Sequence, residues 1–418
     1  MQTYLISLGL RVLTCIFQQT VQLGLFFLLF TVAAQAQDMT RVKTNIGILS
    51  SSSMNGRGYL HKGHLKASAF IESQFLQAGL KPVQGSFFQN FTIRQNLFPK
   101  EPRLRMNGRE LKVGTDFLPP ADAFPVRKTL RFRLSDSLKV PEEINPEIMA
   151  RILKPKEKLP TSGAATRFVY LKTEDKLTHT LSETQESPLV IHLKKSSLLA
   201  TDSVVDIDFR PELNNQIKAR NVVGLVEGTS VKDSFLVICA HYDHLGMLGK
   251  SIFFPGANDN ASGSAMLMEM AREVSAKPLK YSVLFIAFSG EEAGLLGSFY
   301  FVENPLVPLS RMKFVMNLDL MGFGENGATV VNGTVYPELF ERLKSINQSK
   351  NYLPELKVRG KAANSDHYPF SEKGVPAFFM YSLGGPGYYH DVDDKASTLS
   401  LARFPEMYRL ILDFLRGF

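Results

Sequence analysis

The sequence predicts an α/β protein in which a mostly parallel central sheet is covered by helices on both faces. Two observations lead to this fold class. From about residue 217 onward, apolar runs of strand length alternate with longer stretches whose apolar residues recur at helical spacing. The apolar runs are also continuous rather than alternating with polar residues, which is typical of strands buried on both faces of a parallel sheet.

The individual elements follow from these patterns. Strands are predicted at residues 222–226, 235–240, 281–288, 313–320 and 375–381. Helices are predicted at residues 60–80, 263–276, 292–302 and 336–348. The chain ends in a further helix, whose apolar face is formed by Phe404, Met407, Tyr408, Ile411, Leu412 and Leu415.

The stretch between residues 96 and 216 has a different character. Prolines are frequent, helical periodicity fades, and short strand-like pieces appear at residues 168–171 and 189–193. We therefore expect a β-rich insertion or cap on the α/β core. The expected organisation is a signal at 1–36, the first part of the core at 37–95, the insertion or cap at 96–216 and the rest of the core at 217–418.

The first 36 residues have the composition of a secretory signal peptide. Arg11 is their only charged residue, an apolar run follows at 23–30, and Ala34-Gln35-Ala36 offers small residues at the spacing of a cleavage site. The alternative is an uncleaved membrane anchor, but the apolar run is too short to span a bilayer comfortably. We expect cleavage after Ala36, no stable membrane insertion afterwards, and an exported protein that is periplasmic or secreted.

Charge and cysteine usage exclude several function classes. The formal net charge is +8, yet the basic residues are scattered and no arginine-rich arm or aromatic-basic interleaving is present. Nucleic acid is therefore not an expected partner. Cys15 lies in the predicted signal, which leaves Cys239 alone in the mature chain, inside an apolar run. An intrachain disulfide is excluded, and we expect Cys239 to be a buried thiol.

Acidic and imidazole side chains stand mainly at the downstream ends of the predicted strands, where open α/β sheets place their functional sites. They are His241, Asp243, Asp259, Glu291, Glu292, Asp319 and, further on, His390. Carboxylates and imidazoles are the ligands that zinc takes when they converge from separate segments. Two adjacent metals need a bridging carboxylate, and the water between them needs a base that is not a ligand. The consecutive Glu291 and Glu292 can divide these duties.

Five segments in order resemble a known family. They are His-Tyr-Asp-His-Leu-Gly at 241–246, Gly-Ala-Asn-Asp-Asn-Ala-Ser-Gly at 256–263, Ser-Gly-Glu-Glu-Ala-Gly-Leu-Leu-Gly-Ser at 289–298, Asn-Leu-Asp at 317–319 and His-x-x-x-Asp at 390–394. This order is similar to that of secreted bacterial di-zinc aminopeptidases, which are relatives of glutamate carboxypeptidase and of the transferrin receptor ectodomain. The resemblance covers residues 217–418 well, 40–95 loosely and 96–216 weakly. It implies a zinc-exopeptidase fold, a di-zinc catalytic domain at 217–418 and a peptide substrate.

The resemblance also implies a role for each site residue. Asp259 would bridge two zinc ions. One zinc would add Glu292 and His390, and the other His241 and Asp319. Glu291 would be the general base.

Three further features are implied. Asp243 would orient His241, Asp394 would be the corresponding partner near His390, and a cis peptide bond would join Asp259 to Asn260. One feature departs from the family. Its aminopeptidases often carry, shortly before a Ser-Asp-His segment, a tyrosine that donates a hydrogen bond to the tetrahedral oxyanion, but no tyrosine stands just before Ser-Asp-His at 365–367. Tyr388, Tyr389 or a zinc alone would then stabilise the oxyanion.

Several alternatives stay open at this level. His244 either lines the pocket or caps a loop. A single-zinc glutaminyl cyclase shares the fold, and a binding ectodomain of the same fold need not be catalytic. Cobalt or manganese could occupy the same ligands. The sequence does not distinguish an aminopeptidase from a carboxypeptidase, and it leaves the side-chain preference and the oligomeric state open.

Overall fold

The structure is a computed structural model that describes residues 37–131, 149–153, 168–186 and 188–418. The predicted signal, residues 1–36, lies outside the described residues. The elements belong to the unit Thr40–Phe418, except that the first helix begins one residue earlier. No helix in the described part of the chain is both long and apolar enough to cross a bilayer.

Seven α-helices are described. They are α1 (Met39–Leu49), α2 (Gly63–Gln77), α3 (Gly263–Ala276), α4 (Leu296–Glu303), α5 (Pro337–Lys350), α6 (His367–Glu372) and α7 (Phe404–Arg416). The strands of the first half of the chain are β1 (Lys81–Pro82), β2 (Phe88–Leu97), β3 (Arg103–Met106), β4 (Arg109–Leu111), β5 (Phe117–Leu118), β6 (Val126–Arg131), β7 (Met149–Leu153), β8 (Phe168–Glu174), β9 (Leu189–Lys194) and β10 (Val204–Phe209). Those of the second half are β11 (Glu212–Val226), β12 (Val231–His241), β13 (Met247–Leu248), β14 (Ile252–Phe253), β15 (Tyr281–Phe288), β16 (Met312–Leu318), β17 (Ala328–Val331), β18 (Leu356–Val358) and β19 (Ala377–Ser382).

The five predicted core strands all belong to one nine-stranded sheet in the described chain. Its order is β1-β11-β15-β12-β16-β19-β17-β18, with β2 also pairing β11. The four central strands β15, β12, β16 and β19 run parallel, and antiparallel pairs occur towards the two sides. The central strands are almost entirely buried, as their continuous apolar sequences predict. The α/β fold class with a mostly parallel sheet is confirmed.

Helices cover both faces of this sheet. Alternate residues of each strand point to opposite faces, so Phe314 packs against Phe414 of α7 while Val315 joins the core beneath α4 and α6. On that second face, Phe301 of α4 and Phe370 of α6 lie against each other. Cys239 is a free thiol buried in the same layer, as predicted.

Two smaller four-stranded sheets occupy the region that was predicted to be β-rich. One has the order β4-β3-β10-β6 and the other β5-β9-β8-β7. Their buried residues share a hydrophobic cluster with Leu245, Leu248 and Phe254 from the segment that follows β12 and includes β13 and β14. The strands β2 and β11 run through the predicted boundaries at 96 and 216 without a break, and the domain division itself stays a prediction.

The helix predicted at 292–302 begins about one turn later than expected. The helix expected at 292–302 starts at Leu296, because residues 289–295 form a bend and a turn in which Leu295 has a left-handed backbone, with φ of 62°. This turn leaves Glu291 and Glu292 outside the helix, at the end of β15.

Candidate metal centre

The parallel central strands bring the predicted site residues to one edge of the sheet. His241 ends β12 and is paired in register with Phe288, the last residue of β15. Cys239 of β12 is level with Asn317 of β16, and Asp319 comes just after β16. Because parallel strands end at the same edge, His241, Glu291 and Asp319 meet there although they are far apart in sequence.

A first group of ligand atoms surrounds His241. Its Nε2 lies 3.3 Å from Oδ1 of Asp319 and 3.4 Å from Oδ1 of Asp259. Oε2 of Glu291 is slightly further away, at 3.9 Å. The atoms of His241, Asp259 and Asp319 lie within 4.8 Å of one another, so they could hold one metal ion.

A second group lies on the other side of Asp259. Nε2 of His390 is 3.0 Å from Oε2 of Glu292 and 3.3 Å from Oδ2 of Asp259. The Asp259 carboxylate therefore directs Oδ1 towards His241 and Oδ2 towards His390. This is the arrangement expected of a carboxylate that bridges two cations.

Both imidazoles are held in the tautomer that a metal ligand needs. Nδ1 of His390 is 2.8 Å from the carbonyl oxygen of His179, and Nδ1 of His241 is 3.3 Å from that of Asp243. A carbonyl oxygen only accepts hydrogen bonds, so each Nδ1 carries the proton and donates. Each Nε2 then faces carboxylate oxygens, an arrangement that requires either a proton or a cation between them.

His244 belongs to the second group rather than to the cavity surface. Its Nδ1 lies 2.6 Å from Oε1 of Glu292, and the ring is fully buried. The atoms of His244, Asp259 and Glu292 also lie within 4.8 Å of one another. The sequence left two roles open for His244, pocket lining and loop capping, and neither describes this contact. The contact holds Oε1 of Glu292, while Oε2 faces His390.

The loop that carries Asp259 is held by another acid. The backbone of the segment Ala257–Ser262 is non-helical at Asp259 and Asn260, which are joined by the predicted cis peptide bond. The Asp394 carboxylate accepts hydrogen bonds from the backbone N–H groups of Asn258, at 2.9 Å, and Asp259, at 3.0 Å. The expectation that Asp394 pairs with His390 is therefore wrong: its contacts are with this loop.

Arg57 is a residue of this site that the sequence did not reveal. Its side chain is fully buried and donates five hydrogen bonds to backbone carbonyl oxygens. The acceptors are those of Leu49, Tyr242, Pro255, Gly256 and Asp259. Burial lowers the pKa of Arg57 to about 10, with four nearby carboxylates opposing the shift, so the guanidinium stays charged near neutral pH.

Glycines allow Arg57 to come this close to the loop. Gly56 has φ of 58°, and a Cβ at this position would lie 2.4 Å from the carbonyl oxygen of Gly246. A Cβ on Gly58 would lie 2.2 Å from the Cα of Gly246. An arginine between two glycines was thus the available sequence signal of a close backbone approach.

The Asp319 carboxylate is oriented by a buried chain of hydrogen bonds. Oγ of Ser365 donates to Oδ2 of Asp319 at 3.1 Å and accepts from Nδ2 of Asn317 at 2.7 Å. Oδ1 of Asp319 is left facing His241. Neither Ser365 nor Asn317 was predicted to have this role.

The geometry around Asp243 differs from the predicted one. The Asp243 carboxylate lies 3.8 Å from Nδ1 of His241, which is beyond hydrogen-bond length. The backbone carbonyl oxygen of Asp243 is nearer to this nitrogen, at 3.3 Å. The carboxylate instead accepts hydrogen bonds from the hydroxyl of Tyr59, at 2.8 Å, and the N–H of Glu291, at 3.3 Å. Asp243 thereby ties the end of β12 to the Glu291 turn.

The electrostatics of the site favour cations. Burial raises the pKa of the Glu291 carboxyl well above its ordinary value, with neighbouring carboxylates adding to the effect. Burial alone would lower the pKa of His390, but Glu292 and Asp259 raise it to about 11. Without a cation, protons on the imidazoles must balance the crowded acids. The donor set therefore fits divalent metal ions such as zinc.

A cavity of about 250 Å³ opens onto the site. Five predicted site residues line the cavity, namely His241, Asp259, Glu291, Asp319 and His390. The other lining residues are Leu320, Arg359, Asn364, Phe379, Tyr381 and Tyr389. A substrate in the cavity would therefore contact the candidate metal ligands together with the aromatic rings of Phe379, Tyr381 and Tyr389.

Sequence comparison matches residues 221–415 to peptidase family M28. Aminopeptidase YwaD of Bacillus subtilis is 27% identical over 273 residues, which cover 60% of this chain and 56% of the relative. A probable leucine aminopeptidase of Arthroderma otae is 28% identical over 222 residues, covering 49% of this chain and 58% of the relative. The chain thus spans little more than half the length of these curated relatives.

Solved structures share the fold over most of the chain. A zinc aminopeptidase from Bacillus subtilis, BSAP, has a TM-score of 0.68 at 20% identity and covers 90% of this chain and 94% of its own. An aminopeptidase from Aneurinibacillus sp. strain AM-1 has a TM-score of 0.65 at 18% identity, covering 91% and 93%. The segment that matches peptidase family M28, residues 221–415, contains every predicted metal ligand and Glu291.

Proposed function

We propose that this chain is an exported metallo-aminopeptidase that hydrolyses terminal peptide bonds, with two zinc ions and Glu291 as the general base. The observation that carries the proposal is the Asp259 carboxylate, which directs one oxygen towards each of two imidazole–carboxylate groups. The relatives support it by name, since YwaD is an aminopeptidase, the Arthroderma otae protein a probable leucine aminopeptidase and BSAP a zinc aminopeptidase.

The residues divide into two ligand sets that share Asp259. His241 and Asp319 would complete one set, and Glu292 and His390 the other. When bound, two such ions polarise a scissile carbonyl and lower the pKa of a shared water. The Nδ1–H donations to backbone carbonyls and the Ser365 contact to Asp319 hold these ligand atoms in place before any ion arrives.

Glu291 is suited to proton transfer because it lies beside the ligands without being needed as one. Its Oε2 is 3.9 Å from Nε2 of His241, and the carboxylate lines the cavity. In the proposed reaction it takes a proton from the attacking water and gives it to the leaving amine nitrogen. Its turn is fixed by the hydrogen bond from its own N–H to Asp243.

We assign the oxyanion contact to Tyr389. Its ring stacks on His390 with ring centroids 3.8 Å apart, and the side chain lines the cavity. Tyr389 is half exposed, but the partial desolvation of its hydroxyl and the surrounding carboxylates raise its pKa, so it stays protonated and can donate a hydrogen bond. Tyr388, the other tyrosine considered from sequence, is not among the cavity residues.

The proposed location is outside the cytoplasm, in the periplasm or the medium. It rests on the composition of residues 1–36, with Arg11, the apolar run at 23–30 and the small residues that end at Ala36. The proposed partner is a peptide substrate. Amino-terminal sequencing of the protein recovered from the periplasm or medium tests this part, and a chain that still begins at Met1 contradicts cleavage.

The central test combines metal counting with hydrolysis of leucyl-p-nitroanilide. The wild type should bind two zinc ions per chain, and a chelator should abolish turnover. Glu291→Gln should keep both ions and lose roughly 10²- to 10⁴-fold in kcat, because only the proton acceptor is removed. Glu341→Gln, a change at an exposed helical glutamate, is the matched control and should behave as wild type.

Three results would contradict the proposal. Near wild-type turnover by fully loaded Glu291→Gln removes Glu291 as the base. A single bound zinc, with cyclisation of amino-terminal glutamine instead of hydrolysis, indicates a glutaminyl cyclase. Two bound ions without turnover of any aminoacyl or carboxyl-terminal reporter indicate a binding protein of the same fold.

A further inference from the structure

The cavity that the candidate metal ligands line also carries a positive charge that the proposed reaction does not use. Arg359 is the only lysine or arginine among the described residues that line the cavity. It is exposed and directly follows β18, and its backbone N–H is anchored to the carbonyl of Val330 on β17 at 2.9 Å. The position of the residue is therefore fixed by the sheet, while its side chain extends to the cavity.

The guanidinium is oriented by a neutral partner. Its Nη1 donates to the hydroxyl of Tyr381 at 3.2 Å, and Tyr381 lines the same cavity. Within the described chain, no carboxylate forms an ion pair with Arg359. A guanidinium has five N–H donors in a planar fork, so most of its donors stay available after the contact with Tyr381.

The two lysines near Arg359 in the sequence, unlike Arg359, each pair with an acid. Lys357 is 3.6 Å from a carboxylate oxygen of Glu355, and Lys361 forms an ion pair with Glu372. Both lysines are thus neutralised by acids of the protein and lie outside the set that lines the cavity. Among these three closely spaced cations, the one in the cavity is the one without an acidic partner.

The charge balance of the proposed site makes this cation significant. Asp259, Glu292, Asp319 and Glu291 together carry four negative charges when ionised, which two divalent cations would offset. Arg359 then leaves a net positive charge facing the substrate. An anionic group is attracted by that charge, and the attraction is stronger in a partly enclosed cavity than in open water.

We propose that Arg359 binds a carboxylate of the substrate, so that the cavity favours peptides with a negative charge near the scissile bond. This inference rests on the proposed function and specifies its substrate class. A guanidinium fork matches the two oxygens of a carboxylate, and charge-assisted pairs of this kind are the stronger hydrogen bonds. The carboxylate has two sources, an acidic side chain on the terminal residue or the carboxyl terminus of a dipeptide.

Two isosteric pairs of substrates distinguish these sources. Glutamyl- and glutaminyl-p-nitroanilide differ only in the side-chain carboxylate, whereas leucyl-alanine and leucyl-alaninamide differ only in the terminal one. Each is assayed with the zinc-loaded wild type, with Arg359→Met, which keeps the stem but removes the donors, and with Arg359→Lys, which keeps the charge. Lys357→Met is the matched control, a loss of charge two residues away.

We expect Arg359→Met to lower kcat/KM roughly 10- to 100-fold for the carboxylate member of one pair, mainly through KM. The neutral members and Lys357→Met should stay within about twofold of wild type, and Arg359→Lys should lose less than Arg359→Met. The pair that responds identifies the source of the carboxylate. Equal carboxylate-to-amide ratios in the wild type and Arg359→Met, for both pairs, overturn the inference.

A binding measurement separates this inference from the proposed function. Calorimetric titration with L-glutamate against L-glutamine, and with L-leucine against L-leucinamide, needs no turnover. A preference for the carboxylate in the wild type that Arg359→Met abolishes supports the inference even if no substrate is hydrolysed, in which case the proposed function alone fails. Equal binding in both pairs by both proteins overturns the inference while leaving hydrolysis to its own assay.

Discussion

Arg57→Lys is expected to destabilise the fold strongly although it keeps the positive charge. The arginine makes five hydrogen bonds, at 2.7–3.0 Å, to carbonyl oxygens of α1, of the residue after β12 and of the loop that carries Asp259. A lysine ammonium has three donors, so at least two of these buried carbonyls lose their partner. Each unsatisfied buried group costs about 1–3 kcal/mol, which gives a loss of about 2–6 kcal/mol.

This loss is a large share of the roughly 5–15 kcal/mol by which proteins are stable. The free energy of unfolding is measured by urea titration with a chelator present, so that metal affinity does not contribute to the difference. Arg210→Lys is the control, because Arg210 is exposed and, among the residues that the structure describes, pairs only with Asp208, and it should change stability by less than about 0.5 kcal/mol. An Arg57→Lys protein as stable as that control would refute the reasoning from buried carbonyls.

Three further changes test other parts of the site. Ser365→Ala removes the hydroxyl that holds Asp319 and should weaken zinc binding by about 10- to 100-fold in competition with a chromophoric chelator; unchanged affinity would mean that the contact does not orient the ligand. Tyr389→Phe should lower kcat by about 10²- to 10³-fold with little change in KM, and an unaltered kcat would exclude its hydroxyl as the oxyanion donor. Burial lowers the pKa of His367 to about 4, below the ordinary value near 6.5, so the unfolded state binds more protons between these pH values and stability falls as the pH falls. His367→Gln should flatten that slope by up to about 1.4 kcal/mol per pH unit in urea titrations of the chelated protein, and parallel slopes for the two proteins would contradict the assignment.

The fold was largely predictable because its central strands have a distinctive sequence pattern. The runs 235–240 and 281–288 are continuous apolar stretches of strand length, and both are buried strands of the central sheet. The helix at 263–276 was predicted with its observed bounds, since the helical spacing of its apolar residues is a local feature. The helix start at Leu296 was missed, because a left-handed backbone at a leucine is imposed by its surroundings and has no sequence signature.

The candidate site was predicted unevenly. The candidate metal ligands now found around Asp259 had all been chosen, because carboxylates and imidazoles at strand ends are chemically conspicuous. The residues that hold these side chains in place were not predicted. Ser365 and Tyr59 each hold an acid through a single hydrogen bond, and Asn317 donates a hydrogen bond to Ser365. Contacts of this type from common polar side chains leave no distinctive pattern in the sequence. Asp394 was placed near the correct region but given the wrong partner.

The sequence by itself determined that the core is a mostly parallel sheet and which acids and imidazoles are candidate metal ligands, since both follow from local apolar runs and from residue types at their ends. Only the tertiary structure decided that the two oxygens of Asp259 face different histidines, that Arg57 hydrogen-bonds the loop that carries Asp259, and that Arg359 is the cation that lines the cavity. The physical reason is that these arrangements depend on distances between segments far apart in the chain. A hydrogen bond from a side chain to a remote backbone carbonyl, such as that from Arg57 to Pro255, constrains the geometry of the acceptor but not its residue type.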